Sequence, residues 1–121
     1  MITYQKEIGN RGERLAADYL NQQGYQLLDQ KFTALYGELD LVALESDMVV
    51  FVEVKTRTSE TFGMPESGIT PAKLERIEKA GLVWLQGHPE MPDDWRIDVI
   101  AIQIDQHNNI LDLQHFINVS S

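Results

Sequence analysis

The chain contains no cysteine and has few basic residues. Its 121 residues include 10 lysines and arginines against 19 aspartates and glutamates, which gives a net charge of −9. The lack of cysteine excludes disulfide bonds and thiolate metal sites. The scarcity of positive charge argues against general, tight binding of nucleic-acid duplexes, because such binding depends on neutralising phosphates.

Long apolar runs are also missing from the sequence. No segment approaches the roughly 20 apolar residues of a membrane-spanning helix. The first 15 residues, MITYQKEIGNRGERL, are too polar for the apolar region of a signal peptide. We therefore expect a cytoplasmic protein without a membrane partner. The length predicts a single domain over residues 1–121, with a core of two or three layers.

The most informative segment is residues 37–57, GELDLVALESDMVVFVEVKTR. Residues 37–44 and 49–57 are rich in β-branched and apolar side chains and alternate with a period of two, which predicts two β-strands. Residues 45–48 have the composition of a turn between them. The segment therefore predicts a β-hairpin that carries several charged side chains.

The length of the turn decides which charged side chains meet. A symmetric turn of two or four residues places Asp40 opposite Glu53 and Glu38 opposite Lys55. A turn of three or five residues would place Asp40 and Glu53 on opposite faces. The symmetric register is the prediction that we carry forward.

Two carboxylates in this register need a compensating partner. At about 5 Å and an effective dielectric constant of about 20, Asp40 and Glu53 would repel each other by roughly 3 kcal/mol. A shared proton, Lys55 or a divalent cation could offset that repulsion. Paired carboxylates beside a lysine suit metal-assisted phosphodiester hydrolysis. From spacing alone, an ordinary cross-strand ion pair on a solvated face is an equally good interpretation.

The same residues carry a family resemblance. Asp40 followed by Glu53-Val54-Lys55 resembles the PD-(D/E)xK nuclease signature, with Gly37 near the position of its proline. A longer set of motifs resembles the bacterial YraN-like family of predicted endonucleases, and it consists of Gly9-x-x-Gly12-Glu13, Ala16, Gly24-Tyr25, GELDLVA at 37–43, FVEVKTR at 51–57, Phe62-Gly63, Lys73 and RIDVI at 96–100.

The resemblance implies a fold and a set of site residues. The fold is α/β, with the αβββαβ core of restriction endonucleases and Holliday-junction resolvases and a mixed sheet flanked by helices. The implied catalytic residues are Asp40, Glu53 and Lys55. The implied ligands of Mg²⁺, with Mn²⁺ as an alternative ion, are Asp40, Glu53, Glu13 and the backbone carbonyl of Val54. From pattern alone, Glu13 is better explained as a helix-edge residue that reaches solvent.

Other charged residues are assigned to binding and support. Half of the basic residues fall in the segment that would meet a phosphate backbone, at Lys55, Arg57, Lys73, Arg76 and Lys79. Arg57 and Lys73 are the expected substrate contacts, whereas a solvated helix face explains Arg76 and Lys79. We expect Glu38 to hold Lys55 in an ion pair. An Arg96–Asp98 pair is expected to brace the sheet near the site.

Hydrophobic periodicity predicts the remaining elements. Thr70-Pro71 is a helix start, with a threonine cap followed by proline in the first turn, and residues 57–70 before it read as a loop bordering the site. The first three strands are expected to form an antiparallel meander, after which the second helix crosses over to a further strand. The expected order is helix 5–23, strand 25–32, strands 37–44 and 49–57, helix 71–86, strand 95–104 and strand 110–119.

These observations lead to one function and two rivals. The expected function is a Mg²⁺-dependent endonuclease that hydrolyses DNA phosphodiester bonds, with a structure-selective, resolvase-like preference as its finer form. The first rival is a non-catalytic nucleic-acid- or protein-binding module on the same fold. The second is a structural ion-pair cluster, which would be indifferent to metal and more stable when Glu53 becomes Gln. The sequence leaves the oligomeric state open, with a homodimer among the options.

Overall fold

The fold is α/β, with one five-stranded mixed sheet between two helices. The computed structural model describes residues 4–58, 68–107 and 109–120. Its elements are α1 (Tyr4–Gln22), β1 (Gln26–Ala34), β2 (Gly37–Glu45), β3 (Met48–Thr58), α2 (Pro71–Gln86), β4 (Trp95–Ile104) and β5 (Ile110–Phe116). The strands lie in chain order across the sheet, and all neighbours are antiparallel except the parallel pair β3–β4. The predicted αβββαβ order is confirmed.

The two helices cover opposite faces of the sheet. Because side chains alternate along a strand, β3 contributes to both faces. The core on the α1 face includes Ala16, Leu20, Tyr25, Leu41, Val50, Val52, Ile100 and Ile102. The core on the α2 face includes Leu39, Val42, Val49, Phe51, Ile77, Ala80, Trp84 and Ile97. β3 is therefore the central strand on which both layers pack.

Several local signals operate as the sequence predicts. Gly24 follows α1 with a φ of 92°. The Thr70 side chain accepts a hydrogen bond from the backbone N–H of Lys73 at 3.1 Å, which caps α2 and fixes its first turn. The predicted loop over residues 57–70 lies mostly outside the described residues. No helix in the described part of the chain is long and apolar enough to cross a membrane.

The β2–β3 hairpin has the symmetric turn that was predicted. Glu45 pairs with Met48, so the connection has two residues. Pairing continues in that register to Leu41 and Val52 and then stops. Beyond this point β2 stays paired with β1 as far as Gly37, and β3 stays paired with β4 as far as Thr58. The sheet therefore forks between β2 and β3.

The fork corrects part of the predicted register. Asp40 and Glu53 do not pair with each other in the β2–β3 ladder, because the ladder ends one pair earlier, at Leu41 and Val52. Glu38 is paired with Thr33 on β1, while Lys55 is paired with Ala101 on β4. The expected placement of Glu38 opposite Lys55 is wrong, because the two strands separate before they reach these residues.

Candidate active site at the fork of the sheet

The gap between β2 and β3 is closed at its inner end by a carboxylate. The backbone N–H of Val54 donates a hydrogen bond of 2.8 Å to Oδ2 of Asp40. This bond takes the place of the next rung of the strand ladder. We call the gap beyond Leu41 and Val52 the notch. Its position fixes Asp40 between two rigid rims, β1–β2 on one side and β3–β4 on the other.

Glu53 lies on β3 beside Asp40 and is held by a lysine of α2. Its side chain is 15% exposed, and its Oε2 lies 3.6 Å from Nζ of Lys73. Burial, followed by the nearby charge of Asp40, raises the pKa of Glu53 to about 7, although Lys73 acts in the opposite direction. Near neutral pH this carboxyl is therefore divided between its charged and neutral forms.

Glu13 approaches the notch from α1. A Cβ at Gly12 would overlap Oγ1 of Thr56, so only glycine allows α1 to come this close to β3. Burial, and then the charge of Asp40, raises the pKa of Glu13 despite the neighbouring Lys31. The negative charge of Asp40 thus lies between the two outer carboxylates and raises the pKa of both.

One oxygen of Glu13 has an unusual environment. Its Oε1 is buried and accepts no hydrogen bond. Among the buried side-chain nitrogen and oxygen atoms of the described residues, it is the one without a hydrogen-bond partner. Nζ of Lys31 lies 3.5 Å away, which is an ion-pair distance but long for a hydrogen bond. A buried carboxylate oxygen without a donor is costly, and a cation or a proton would relieve it.

Sequence reasoning missed Lys31. This residue has a φ of 52° in β1, an uncommon backbone conformation for lysine. Its Nζ donates a hydrogen bond of 2.6 Å to Oδ1 of Asn10 on α1 and lies beside Glu13. No residue type around Lys31 signals a positive φ, so periodicity could not have identified it.

The three carboxylates do not converge on one point. Within residues 4–58, 68–107 and 109–120, no three acidic or histidine side chains are gathered closely enough to hold a metal ion. The outer two carboxylates instead lean towards lysines, Glu13 to Lys31 and Glu53 to Lys73. Each outer carboxylate is thus paired with an ammonium group, which offsets part of its repulsion by Asp40.

Lys55 and Arg57 lie further along β3. Nζ of Lys55 donates a hydrogen bond of 2.9 Å to the carbonyl of Gly68, which precedes α2. Lys55 and Glu53 are two residues apart on one strand and so share a face. Arg57 is exposed, and its Nη1 donates a bond of 3.3 Å to the carbonyl of Thr56. Lys55 thus lies beside the carboxylates, and Arg57 lies towards the outer end of the strand.

The Arg96–Asp98 pair forms on β4, the strand next to β3. Nε of Arg96 donates to Oδ1 of Asp98 at 2.9 Å, and Asp98 is completely buried. Arg96 is paired with Val50, which is three residues or about 10 Å from Glu53. Asp98 is paired with Val52, the residue next to Glu53, but the pair faces α1, whereas Glu53 faces α2. The pair therefore braces β4 beside the inner end of the notch, on the other face of the sheet from Glu53.

The Arg96–Asp98 pair belongs to a larger buried network. Asp98 accepts further hydrogen bonds from the backbone N–H of Asn118 and bonds to Nε2 of His115 at 2.8 Å. His115 in turn bonds to the Tyr19 hydroxyl on α1 at 3.0 Å. Arg96 also contacts Glu45 and Tyr25. The network joins α1, the β2–β3 hairpin and the last strand.

Comparison with known sequences places this architecture in a family. The sequence profile of Uncharacterised protein family UPF0102 matches residues 12–102, which is most of the chain. The chain belongs to the UPF0102 family. The matched range contains all four basic and acidic side chains of the two ion pairs at the notch, as well as Asp40 and Lys55. The YraN-like resemblance is in agreement with this membership.

Individual UPF0102 proteins match over most of their length. One from Syntrophomonas wolfei is 42% identical over 113 residues, which cover 93% of this chain and 96% of the relative. One from Geobacter sulfurreducens is 44% identical over 101 residues, covering 84% of this chain and 79% of the relative. One from Mycolicibacterium vanbaalenii is 43% identical over 101 residues, covering 81% of each. The family name itself assigns no activity.

Proposed function

We propose that this protein hydrolyses phosphodiester bonds in nucleic acid, with DNA as the expected substrate, and depends on a divalent cation. The observation that carries the proposal is Asp40 in the notch, flanked by two carboxylates whose pKa values are raised by burial and then by the charge of Asp40. Raised pKa values and a buried oxygen without a hydrogen-bond donor mark an anionic site whose charge the two neighbouring lysines offset only in part. Carboxylate oxygens are the ligands that Mg²⁺ and Mn²⁺ prefer.

The oxygen donors around the notch have the chemistry that such an ion takes, and binding it would require the outer carboxylates to leave Lys31 and Lys73 and draw towards Asp40. Asp40, Glu53, Glu13 and the Val54 carbonyl would hold it, and the bound ion would activate water and stabilise negative charge on the phosphate oxygens. The Val54 N–H fixes the orientation of Asp40. Lys55 lies on the same face as Glu53 and is suited to orient the attacking water.

The lysines of the notch supply the positive charge that a phosphate needs. Lys73 contacts Glu53 while its side chain remains partly exposed, so its ammonium group can also reach a phosphate. Lys31 stands in the same relation to Glu13 on the opposite side. Arg57 is exposed further along β3, where its guanidinium group would contact another phosphate of the same strand. Glu38 is exposed on β2 at the rim of the notch, and the proposal gives it no role in binding or catalysis.

A non-catalytic binding module is the second candidate. It is favoured by the two lysine–carboxylate pairs, which neutralise the outer acids without a metal, and by the net charge of −9. Such a module would bind its partner equally well in a chelator. The two candidates therefore differ in their response to divalent cations.

Calorimetric titration with Mg²⁺ and Mn²⁺ tests the first requirement of the proposal. We expect the protein to bind one or both ions, and Asp40→Asn or Glu53→Gln to weaken binding at least tenfold through loss of a charged ligand. Glu75→Gln is the matched control, because Glu75 is an exposed acid on α2 paired with Lys79. Binding that is absent, or equal in all four proteins, would contradict the proposal.

A cleavage assay on linear, flapped and four-way-branched DNA tests the reaction. We expect cleavage to require Mg²⁺ or Mn²⁺ and to fall by about 100-fold or more in Lys55→Met, because a group that positions water acts in the transition state. Lys6→Met on α1 is the control for lost positive charge. Retained cleavage in Asp40→Asn would assign the activity to a contaminant and remove the proposal.

A further inference from the structure

The turn between β1 and β2 presents two bare apolar side chains to solvent. Leu35 is 86% exposed and Tyr36 is 64% exposed, and together they form the whole connection between the strands. Residues 32–36 contain no basic side chain, so this tip has no group that could grip a phosphate. Its contact chemistry is apolar and aromatic. We call Leu35 and Tyr36 the tip.

The base of the tip packs against α2. A Cβ at Gly37 would lie 2.6 Å from the backbone oxygen of Arg76, so the base of the turn packs on the helix backbone. Nζ of Lys79 lies 5.5 Å from the centre of the Tyr36 ring. The ring is therefore oriented by a cation while much of its surface stays open. A fixed, exposed aromatic ring is suited to stack on a flat partner.

A row of basic residues on α2 runs between the notch and the tip. Lys73 contacts Glu53 at the notch, the backbone of Arg76 lies against Gly37, and Lys79 lies over Tyr36 and is also paired with Glu75 at 3.2 Å. Lys73 and Lys79 are six residues apart on α2, which is about 9 Å along the helix. That distance corresponds to about two to three nucleotides of a strand at 3.4 Å each.

This row has the geometry of a track for one nucleic-acid strand. Cations at Lys73 and Arg76 would follow successive phosphates, and the tip would meet a base two or three nucleotides from the notch. Aromatic rings stack on bases of any sequence, and apolar side chains separate stacked bases. A base within an intact duplex cannot offer its face to the tip, whereas an unpaired base can.

We propose that the tip stacks on an unpaired base next to the scissile bond, so that the substrate is a junction between duplex and single strand. This inference rests on the proposed function, because it takes the notch as the place of cleavage. It assigns the tip to substrate selection and the notch to chemistry. Forked and branched strands should therefore bind more tightly than blunt duplex.

Fluorescence anisotropy with forked and blunt DNA, in Ca²⁺ to prevent cutting, tests the inference. We expect Tyr36→Ala and Leu35→Ala to weaken binding of the fork about tenfold or more and to leave the blunt duplex unchanged, while Tyr36→Phe keeps the stacking ring. Tyr4→Ala and Leu111→Ala are matched controls, because these side chains are 65% and 53% exposed on other elements. A 2-aminopurine at the first unpaired base should change fluorescence with the wild type and with Tyr36→Phe only.

The outcomes separate this inference from the function on which it rests. Equal binding of fork by wild type and the tip variants, or equal loss on fork and duplex, would overturn the role of the tip. If Asp40-dependent cleavage persisted in that case, the proposed function would stand without it. Sedimentation that shows a dimer lost in Tyr36→Ala, with DNA binding unchanged, would assign the tip to a second copy of the chain and overturn the inference.

Discussion

At the scale of single residues, the charge of Glu53 opposes folding. Its pKa is raised to about 7 by burial and by Asp40. The folded protein therefore binds this proton more tightly than the unfolded chain does. The contribution to stability is complete below the ordinary value of 4.5 and is lost as the pH rises through 7.

Glu53→Gln should stabilise the metal-free protein at high pH. The neutral amide removes the buried charge, so we expect the free energy of unfolding to rise by about 1–3 kcal/mol at pH 8 and to match the wild type near pH 4. Urea denaturation in EDTA at both pH values measures the difference. Glu75→Gln serves as the exposed control, and a gain that is the same at both pH values would refute the explanation.

This result bears on how the structural rival is recognised. A more stable Gln variant is expected both for a bare ion-pair cluster and for a cation site, because both place an anion in a half-buried position. Functional sites commonly carry such a cost. Only the response to Mg²⁺ and Mn²⁺ therefore distinguishes the structural ion-pair cluster from a cation site, because the cluster should not respond to either ion.

At the scale of elements, the distance between α1 and β3 depends on one glycine. Gly12→Ala would push a methyl group into Thr56, and we expect a loss of about 1–3 kcal/mol in stability from overpacking. Gly9→Ala is the matched control, because a Cβ there has no neighbour within 4 Å in the described structure. It should instead stabilise the helix by about 0.5–1 kcal/mol.

Thermal denaturation of the two variants checks this contrast. Because Glu13 follows Gly12, the unfavourable variant should also weaken cation binding, whereas Gly9→Ala should leave it unchanged. A stabilising effect from both substitutions would show that the approach of α1 to β3 is looser than the structure has it.

The elements themselves could be predicted because their signals are local. Alternation identifies β2 and β3, and the Thr70-Pro71 start identifies α2. The symmetric register next to the turn was also predicted, whereas the choice between a turn of two and one of four residues was left open and the structure shows two. The fork did not, because the end of pairing between β2 and β3 reflects the competing partners β1 and β4. Competition between strands that are distant in sequence leaves no local pattern.

The same limit explains which site residues were found. Asp40, Glu53 and Lys55 stand out as charges within apolar strands, and Glu13 entered through the family resemblance. Lys31 depends on an unusual φ, and its contact with Glu13 joins β1 to α1. Arg96 and Asp98 were paired correctly, but the sequence did not show that they lie on the opposite face of the sheet from Glu53, because that depends on how β4 pairs with β3.

At the scale of the whole molecule, the buried Asp98 network joins elements from both ends of the chain. The pKa of Asp98 is lowered, because its hydrogen bonds from His115 and Arg96 outweigh the effect of burial. Its charged form is thus favoured by folding. That contribution to stability is present above the ordinary value of 3.8 and is lost as the pH falls through the lower folded pKa.

Asp98→Asn should destabilise the protein strongly at neutral pH. The substitution leaves the Arg96 charge half-buried without its main partner, so we expect a loss of about 3–5 kcal/mol. Chemical denaturation at pH 7 measures it, with Asp93→Asn in an exposed loop as the control. The double variant Arg96→Met/Asp98→Asn should recover part of the loss. No recovery would mean that Asp98 acts mainly through His115 and Asn118.

The fork in the sheet has one further consequence. The notch is an opening made by main chain, and its two rims are each secured by a neighbouring strand. Its width is therefore set mainly by strand pairing, with Asp40 as the side chain that closes its inner end. Point substitutions can exchange the reactive groups at such an opening without sealing it. The side chains that line the notch can therefore be changed one at a time while the backbone opening is kept.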